Sequence, residues 1–266
     1  MPTDAPRSLP RIQHDFKDEP TTSKQIRESR RSEVKKQFLK CWKSYRAKAW
    51  MHDELTPIAG GFADDFGGWA ATLIESLDTL WIIGARDEFI SAIKDVEALN
   101  FGYTAMDKVN MFDTNVRHLG GLLSAYELSR EDRLLNKAKE VGEMLYHAFD
   151  TPNNMPLTRW SFYEAAQGKK QEAEENVLIA ELGSFTMEFI RLSQATGDPK
   201  WFDAANRVVK LLEKDQMRTR LPGMWPIVVN PKKQDLTQDT GFSLGSMVRD
   251  MRLDMDGVYS ISRLFY

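Results

Sequence analysis

The sequence predicts an all-α protein, built as part of a toroid of helical hairpins. Amphipathic segments alternate along the chain with segments that are apolar on most sides, and period-two strand patterns are scarce. Apolar residues make up 42% of the 266 residues, which is enough for a sizeable core. An amphipathic helix has one face in water, whereas a helix that is apolar on most sides is enclosed. The alternation therefore predicts an outer ring of helices around an inner one.

The first part of the chain opens with a polar segment and then becomes helical. Residues 1–28 are rich in Pro, Ser, Thr and charge, which predicts an extended or disordered lead-in. Residues 33–50 place apolar side chains at three- and four-residue steps, as one face of a helix requires. Residues 66–84 are apolar nearly all round, and residues 87–99 are amphipathic again. This part of the chain thus contains one enclosed helix between two amphipathic ones.

The same alternation continues to residue 216. Residues 111–126 are apolar on most sides, and residues 130–149 are amphipathic. A 27-residue loop, 150–176, follows, and a loop of that length indicates function rather than mere connection. Residues 177–197 are mostly apolar, and residues 198–216 are amphipathic. The prediction is about seven long helices, three of which are enclosed.

Composition excludes several classes of protein. The chain has 36 basic and 39 acidic residues and a net charge of −3, which gives no reason to expect a nucleic-acid or anionic-membrane partner. Cys41 is the only cysteine, so neither an intrachain disulfide nor a thiol–metal cluster is expected. The four histidines are widely spaced, and no metal ligands are assigned. No transmembrane segment or secretory signal is recognisable in the sequence.

Each of the three enclosed helices carries carboxylates. Asp113 lies on the second of these helices, ahead of Gly120 and Gly121. If each enclosed helix turns its acids toward the toroid axis, they converge on a central cavity. The alternative is that they pair inside the core with Arg117, Arg191 or helix ends. These inner-helix acids are Glu75, Asp78, Asp113, Glu181 and Glu188.

A cavity lined by carboxylates and aromatic rings suits a neutral polyhydroxylated ligand. Carboxylates accept hydrogen bonds from sugar hydroxyls, and aromatic rings stack on apolar sugar faces. Glycoside hydrolysis also uses a pair of carboxyl groups: one protonates the leaving oxygen, and the other activates water or attacks the sugar directly. Residue types and spacing thus indicate a cavity suited to a sugar ligand and to glycoside hydrolysis.

Six stretches between roughly residues 30 and 247 carry a further signal. They are "AWMHDELTPIAGGF", "FGGWAATLIESLDTLWIIG", "VNMFDTNVRHLGGLLSAYELS", "AFDTPNNMPLTRW", "VLIAELGSFTMEFIRLSQATGDPKWFD" and "LPGMWPIVVN". Together, and in this order, they resemble the class I α-1,2-mannosidases of glycoside hydrolase family 47, in detail the fungal members.

The resemblance implies an (α/α)7 barrel that trims α-1,2-linked mannose from high-mannose N-glycans with inversion and uses a calcium ion. It identifies Asp113 with the family's general acid, where the family has the longer Glu. It implies an endoplasmic reticulum or Golgi lumen location. It leaves open whether His52, Asp53 and Glu54, the family's "HDE", have a functional role or cap a helix end. The residues that it places around the glycan are Asp78, Arg117, Glu181 and Glu188.

The chain also departs from the family. Family catalytic domains are roughly twice this long, so residues 29–247 are interpreted as a truncated domain and residues 248–266 as a tail that does not resemble the family. The resemblance implies that the second catalytic acid, the proposed base, the disulfide pair and the calcium-ligating threonine lie in the part that is not matched. The expectation is a mannosidase that is inactive in this form. A non-catalytic relative that binds high-mannose glycans, or a non-functional gene-model fragment, remain the alternatives.

Overall fold

A computed structural model describes residues 13–245, and most of these residues are helical. A π-helical segment, Thr114–Leu119, joins α5 to α6. The helices are α1 (Thr21–Lys48), α2 (Ala71–Glu75), α3 (Leu77–Ile82), α4 (Arg86–Glu97), α5 (Met111–Asp113), α6 (Gly120–Ser129), α7 (Asp132–His147), α8 (Phe162–Ala166), α9 (Ile179–Gly183), α10 (Phe185–Thr196) and α11 (Lys200–Gln216). The strands are β1 (Glu54–Leu55), β2 (Phe62–Ala63), β3 (Val109–Asn110), β4 (Arg159–Trp160), β5 (Val177–Leu178) and β6 (Val228–Val229).

The helices form two layers, as the alternation in the sequence predicts. The inner layer consists of three helical runs, each made of successive helical segments: α2–α3, α5 to α6 through the π-helix, and α9–α10. These runs pack side by side, and each packs against an outer helix, α4, α7 or α11 respectively. On outer helix α7, the buried side chains include Leu134, Ala138, Val141 and Leu145, which recur at helical spacing. With α1, the described residues form seven long helical runs, so this prediction is confirmed.

The beginning of the chain differs from the prediction. Helix α1 begins at Thr21, so residues 21–28 are helical and do not belong to an extended lead-in. Lys, Arg, Gln and Glu are good helix formers even where no apolar periodicity exists. Arg27 also forms ion pairs with Glu19 and Glu28, at 2.9 and 2.5 Å. Residues 13–20 of the predicted lead-in form neither helix nor strand. Residues 1–12 and the predicted tail, residues 248–266, lie outside the described residues.

Only the C-terminal half of α1 joins the core. Trp42 and Tyr45 are buried, whereas Val34 is 67% exposed. The indole nitrogen Nε1 of Trp42 donates to Glu88 Oε2 over 2.9 Å, and Arg46 Nη2 donates to Ser91 Oγ over 2.8 Å. These bonds fix α1 to the outer helix α4.

Each inner helical run is interrupted close to a carboxylate. Ser76 separates α2 from α3, directly after Glu75. The π-helix begins directly after Asp113, and Ser184 separates α9 from α10. π-helical turns inside α-helices occur frequently at functional sites. A functional site is therefore expected close to these interruptions.

Short strand pairs precede two of these runs and place their acids in equivalent positions. Strands β3 and β4 are antiparallel, as are β5 and β6. Asp113 is the third residue after β3, and Glu181 is the third residue after β5. Both carboxylates therefore lie in the first turn of an inner helix, where the positive end of the helix dipole favours negative charge.

Gly121 allows two inner runs to approach each other, and we expect Gly121→Ala to destabilise the fold. A Cβ atom at Gly121 would lie 3.0 Å from Ile74 Cγ2 and 3.2 Å from the Ile74 carbonyl oxygen. Ile74 is completely buried, so relief requires movement of the helix backbone, at a cost of about 1–3 kcal/mol. Urea unfolding measures the change.

Gly120→Ala is the matched control for this prediction. A Cβ atom at Gly120 would meet its nearest neighbour, Glu188 Oε1, at 3.5 Å, which is ordinary contact. Because alanine is favoured over glycine in helices by about 1 kcal/mol, this variant is expected to be neutral or more stable. Equal destabilisation by the two variants would contradict the close approach at Gly121.

Candidate functional site

Asp113 lies at the centre of a polar network on the inner layer. Asn110 caps the helix start, because its Oδ1 accepts from the backbone N–H groups of Phe112 and Asp113, over 3.0 and 3.3 Å. The side-chain amide of Asn110 donates to Asp113 Oδ2 over 2.5 Å, and Arg117 Nε donates to Asp113 Oδ1 over 3.2 Å. The Asp113 side chain keeps 21% of its surface exposed. Its carboxylate is thus fixed in orientation and accessible from solvent.

Arg117 connects Asp113 to the neighbouring inner run. Its Nη1 lies 3.3 Å from both carboxylate oxygens of Glu75 at the end of α2. The guanidinium carbon lies 4.2 Å from the centroid of the Phe66 ring, a cation–π contact. The Arg117 side chain is one-third exposed. One arginine thus holds two carboxylates and an aromatic ring at one place on the surface.

Arg159 makes the corresponding connection on the other side of Asp113. It lies on β4 within the long loop, and its Nη2 donates to Glu181 Oε1 over 2.9 Å. Its Nη1 donates to Asn110 Oδ1 over 3.3 Å. The network consequently runs from α2 through α5 and the π-helix to α9. Sequence reasoning did not single out Arg159; the unusual length of loop 150–176 was the signal that pointed toward it.

Asp78 and Glu188 make hydrogen bonds between inner helices. Ser124 Oγ on α6 donates to Asp78 Oδ2 over 2.8 Å. Asn115 Nδ2 in the π-helix donates to Glu188 Oε2 on α10, also over 2.8 Å. Both acids are partly buried. These two predicted glycan-site residues thus also hold neighbouring inner runs together.

Some of these contacts also agree with the alternative that the inner-helix acids pair with arginines inside the core. Arg117 pairs with Glu75 and Asp113, as an internal role for these acids requires. Arg191, the other cation considered, instead contacts Glu127, with Nε 2.8 Å from Oε1. The pairs around Asp113 nevertheless remain partly exposed, so they form a polar surface at the N-terminal turns of inner helices. Such a surface can exchange hydrogen bonds with hydroxyl groups.

Asp53 organises the loop that carries Phe66. Its carboxylate is completely buried and accepts three backbone hydrogen bonds, from Phe66, Gly68 and Ala71, over 2.8, 2.8 and 3.1 Å. Ala71 is the first residue of α2, so Asp53 caps this helix start, the structural role that the sequence left open. Ala70 adopts a left-handed conformation, with φ 56°, which the surrounding bonds must stabilise.

His52 and Glu54 flank Asp53 and differ from it in exposure. His52 Nδ1 lies 2.8 Å from Asp64 Oδ2, and its ring stacks on Phe62 with centroids 3.5 Å apart. Glu54 is exposed and pairs with Ala63 in the two-stranded β1–β2 ladder. These contacts support the loop around Asp53 and do not reach the Asp113 network.

His118 lies one residue beyond Arg117 and is completely buried. The rings of Trp69 and Phe101 surround it edge-on, with centroids 5.8 and 6.0 Å away. Within residues 13–245, neither ring nitrogen of His118 has a hydrogen-bond partner. Burial, with a smaller contribution from the charge of Arg117, lowers the pKa of His118 from 6.5 to about 3. The ring is therefore neutral in the folded protein above that pH.

We expect His118 to make the fold less stable as the pH falls from about 6.5 to about 3. In this range the unfolded chain binds a proton at His118 and the folded chain does not. The free energy of unfolding then loses up to about 1.4 kcal/mol per pH unit through this residue. Urea unfolding between pH 4 and 7 measures the slope, which His118→Phe should reduce.

His147→Phe is the control for the His118 prediction. His147 is exposed at the end of α7, and its replacement makes the same change of side chain away from the buried site. If His118→Phe and the unmodified chain lost stability equally steeply with acid, the burial of neutral His118 would not be the source of the slope.

The described residues do not provide a metal centre. Within residues 13–245, no group of three or more His, Cys, Asp or Glu side chains is arranged to hold a metal ion. The calcium ion that the family resemblance implies stays a prediction, because that resemblance places its threonine ligand in the part that this chain does not match. In the same range, no helix combines the length and the apolar character that crossing a bilayer requires.

A family model and curated proteins match most of the chain. The model described as glycosyl hydrolase family 47 matches residues 37–250. A mannosyl-oligosaccharide 1,2-alpha-mannosidase of Arabidopsis thaliana is 35% identical over 216 residues, covering 81% of this chain and 38% of the relative. The human endoplasmic reticulum mannosyl-oligosaccharide 1,2-alpha-mannosidase is 36% identical over 209 residues, covering 79% of this chain and 29% of the relative. The chain thus spans about a third of the length of these relatives.

A solved structure matches the fold. The alpha-1,2-mannosidase from Trichoderma reesei superposes with a TM-score of 0.78 at 27% sequence identity. The superposition covers 89% of this chain and 52% of that structure. The prediction of a partial α/α barrel is therefore confirmed, because the described layers correspond to about half of a known barrel.

Proposed function

The chain belongs to glycosyl hydrolase family 47, and we propose that it supplies the acid-bearing part of a mannosyl-oligosaccharide α-1,2-mannosidase site of N-glycan processing. The relatives that it matches are named as enzymes of this kind. The observation that supports the proposal most directly is a network across three inner runs, made of Glu75, Asp113, Arg117, Arg159 and Glu181. It presents fixed carboxylates and guanidiniums to solvent at one place.

The proposed mechanism assigns the proton donor to Asp113. An inverting glycosidase protonates the leaving oxygen with one carboxyl group and activates water with another, about 6.5–9.5 Å away. Asp113 occupies the acid's position, where Arg117 and Asn110 fix the direction of its carboxyl group. Glu181, Asp78 and the other inner-helix acids accept hydrogen bonds from sugar hydroxyls. We propose that the base is supplied by the part of the relatives that this chain does not match.

A second candidate, glycan binding without turnover, is favoured by the length of the Asp113 side chain. Asp113 is one methylene shorter than the family's Glu, and catalytic groups must hold their position within about 0.5 Å. This difference weakens proton donation to the leaving oxygen more than it weakens binding, because Oδ1 and Oδ2 can accept hydrogen bonds from sugar hydroxyls over a wider range of positions.

Calcium and a lumenal location complete the proposal. The resemblance to the family implies calcium, with its threonine ligand in the part of the relatives that this chain does not match. The endoplasmic reticulum or Golgi lumen follows from the family, and two relatives, from rat and human, are named endoplasmic reticulum enzymes. Fractionation of cells that express the chain tests the location.

Glycan binding tests the proposed function. We expect the chain to bind α-1,2-linked mannobiose more tightly than maltose, because the relatives that it matches are named 1,2-alpha-mannosidases. Arg117→Met should weaken mannobiose binding by about tenfold or more, since it removes the group that holds Asp113 and Glu75 in place. Calorimetric titration measures the affinities. Arg191→Met, which alters a pair on another surface, is the control.

Two results would contradict the proposed function. One is equal affinity for mannobiose and maltose. The other is mannobiose affinity that Arg117→Met leaves unchanged while the variant retains the melting temperature of the unmodified chain.

A further inference from the structure

Loop 150–176 brings an unassigned arginine to the edge of the Asp113 network. Strands β3 and β4 pair in a register that places Arg159 opposite Asn110, three residues before Asp113. Side chains alternate between the two faces of a strand. Trp160 accordingly turns into the core, where it is 4% exposed, whereas the Arg159 side chain is 42% exposed. The pairing thus fixes which residue of the loop faces the inner-helix acids.

The loop is anchored firmly on both sides of Arg159. Thr158 donates through its backbone N–H and its hydroxyl to Glu174 Oε2, over 3.0 and 2.6 Å. Trp160 Nε1 donates to Gln171 Oε1 over 2.6 Å, and Gln171 Nε2 donates to two carbonyl oxygens at the end of α7. A side chain on an anchored backbone loses little freedom when it binds a ligand. The backbone of Arg159 is therefore already fixed before a ligand binds.

Part of the hydrogen-bonding capacity of Arg159 is unused. Its guanidinium has five N–H donors. Nη1 donates to Asn110 Oδ1 and to the Thr158 carbonyl oxygen, and one N–H of Nη2 donates to Glu181 Oε1. Among the described residues, Nε–H and the second N–H of Nη2 have no acceptor. Nε and Nη2 are neighbouring nitrogens of one planar group, so these two donors can bond to a pair of nearby oxygen atoms.

The charge around Arg159 selects the class of ligand. The five inner-helix acids outnumber the two arginines, Arg117 and Arg159, so the site as a whole is negative. An anionic ligand would be repelled, whereas a neutral ligand with vicinal hydroxyl groups can accept from Arg159 and donate to Glu181. We propose that Arg159 is a glycan-binding residue that holds a vicinal pair of sugar hydroxyls through Nε–H and Nη2–H. This inference rests on the proposed glycan site and adds a contact to it.

The test separates direct contact from a structural role. Affinities for methyl α-mannoside and its 2-, 3-, 4- and 6-deoxy analogues are measured by NMR titration for the unmodified chain, Arg159→Gln and Arg159→Lys. We expect Arg159→Gln to weaken binding of the parent sugar roughly 10- to 100-fold, the range for losing hydrogen bonds to a charged group. Arg159→Lys keeps the charge but not the fork of donors and should give an intermediate loss.

The deoxy sugars and the Arg159 variants together form a double-mutant cycle. Its coupling energy is expected to be zero if Arg159 has only a structural role. In the unmodified chain, deletion of a contacted hydroxyl should weaken binding, and in Arg159→Gln the same deletion should have little further effect. Arg133→Gln is the matched control, because Arg133 pairs with Glu131 on the outer helix side and should preserve every affinity. If either Arg159 variant fails to fold, the other provides the same cycle.

The possible outcomes are distinguishable. If the unmodified chain binds mannoside and all deoxy penalties are the same in the Arg159 variants, the contact is wrong and the proposed function stands. If the unmodified chain binds no mannoside, both are overturned. A deoxy penalty that disappears only in the Arg159 variants supports the contact.

Discussion

The 266-residue chain is expected to release mannose from a high-mannose glycan at a rate close to background, and Asp113→Glu is expected to leave that rate unchanged. Loss of one positioned proton-transfer group typically costs about 10²–10⁴ in rate. The family resemblance places the base in the part of the relatives that this chain does not match. Lengthening the acid by one methylene supplies no base, so Asp113→Glu alone is not expected to raise the rate. Chromatographic detection of free mannose, with calcium present, measures the rate.

Joining the unmatched portion of the Trichoderma reesei enzyme to this chain is expected to produce mannose release. In that fused protein, Asp113→Ala should lower the rate by about 10²–10⁴, because it removes the proton donor. Glu127→Gln is a suitable control, since Glu127 pairs with Arg191 and lies outside the network around Asp113. Release by the unmodified 266-residue chain, or a fused protein that is indifferent to Asp113, would contradict the assignment.

Asp53→Ala is expected to destabilise the fold by about 3 kcal/mol or more. The substitution removes three hydrogen bonds from backbone N–H groups, those of Phe66, Gly68 and Ala71, to a buried carboxylate, and each hydrogen bond to a charged group contributes about 1.5–3 kcal/mol. Asp53→Asn retains one acceptor oxygen and should lose less. Urea unfolding followed by circular dichroism gives the free energies.

Glu54→Ala is the neighbouring control for the Asp53 variants. Glu54 is exposed, and its replacement should change the free energy of unfolding by no more than about 0.5 kcal/mol. The same measurement also reports on the site, because Asp53 holds the loop that presents Phe66 to Arg117. Comparable losses for Asp53→Ala and Glu54→Ala would show that the three backbone bonds contribute little.

The helical layers could be predicted from the sequence because periodic burial is a local property. The amphipathic pattern of α7 and the enclosed character of α10 each follow from which residues recur every three to four positions. The Asp113–Arg117 pair was within reach for the same reason, since residues four apart on a helix are neighbours. The helix at residues 21–28, the start of α1, was missed because it depends on helix propensity and has no apolar periodicity.

The contacts of the site that depend on distant pairing could not be predicted. Arg159 reaches Glu181 only because β4 pairs with β3, and Asn110 and Arg159 are 49 positions apart. Asp53 could be either a functional acid or a cap until its three backbone donors were located. The unpartnered burial of His118 depends on Trp69 and Phe101, which are remote in sequence. Each of these features is a property of the assembled layers.

The most direct test of the glycan site is a map of chemical-shift changes when α-1,2-mannobiose is added to the isotopically labelled chain. The largest chemical-shift changes are expected at the N-terminal turns of the inner runs, around Glu75, Asp113, Arg117, Arg159 and Glu181. Changes confined to another surface, such as the outer helices α7 and α11, would contradict it. An absence of changes at saturating sugar would contradict it equally.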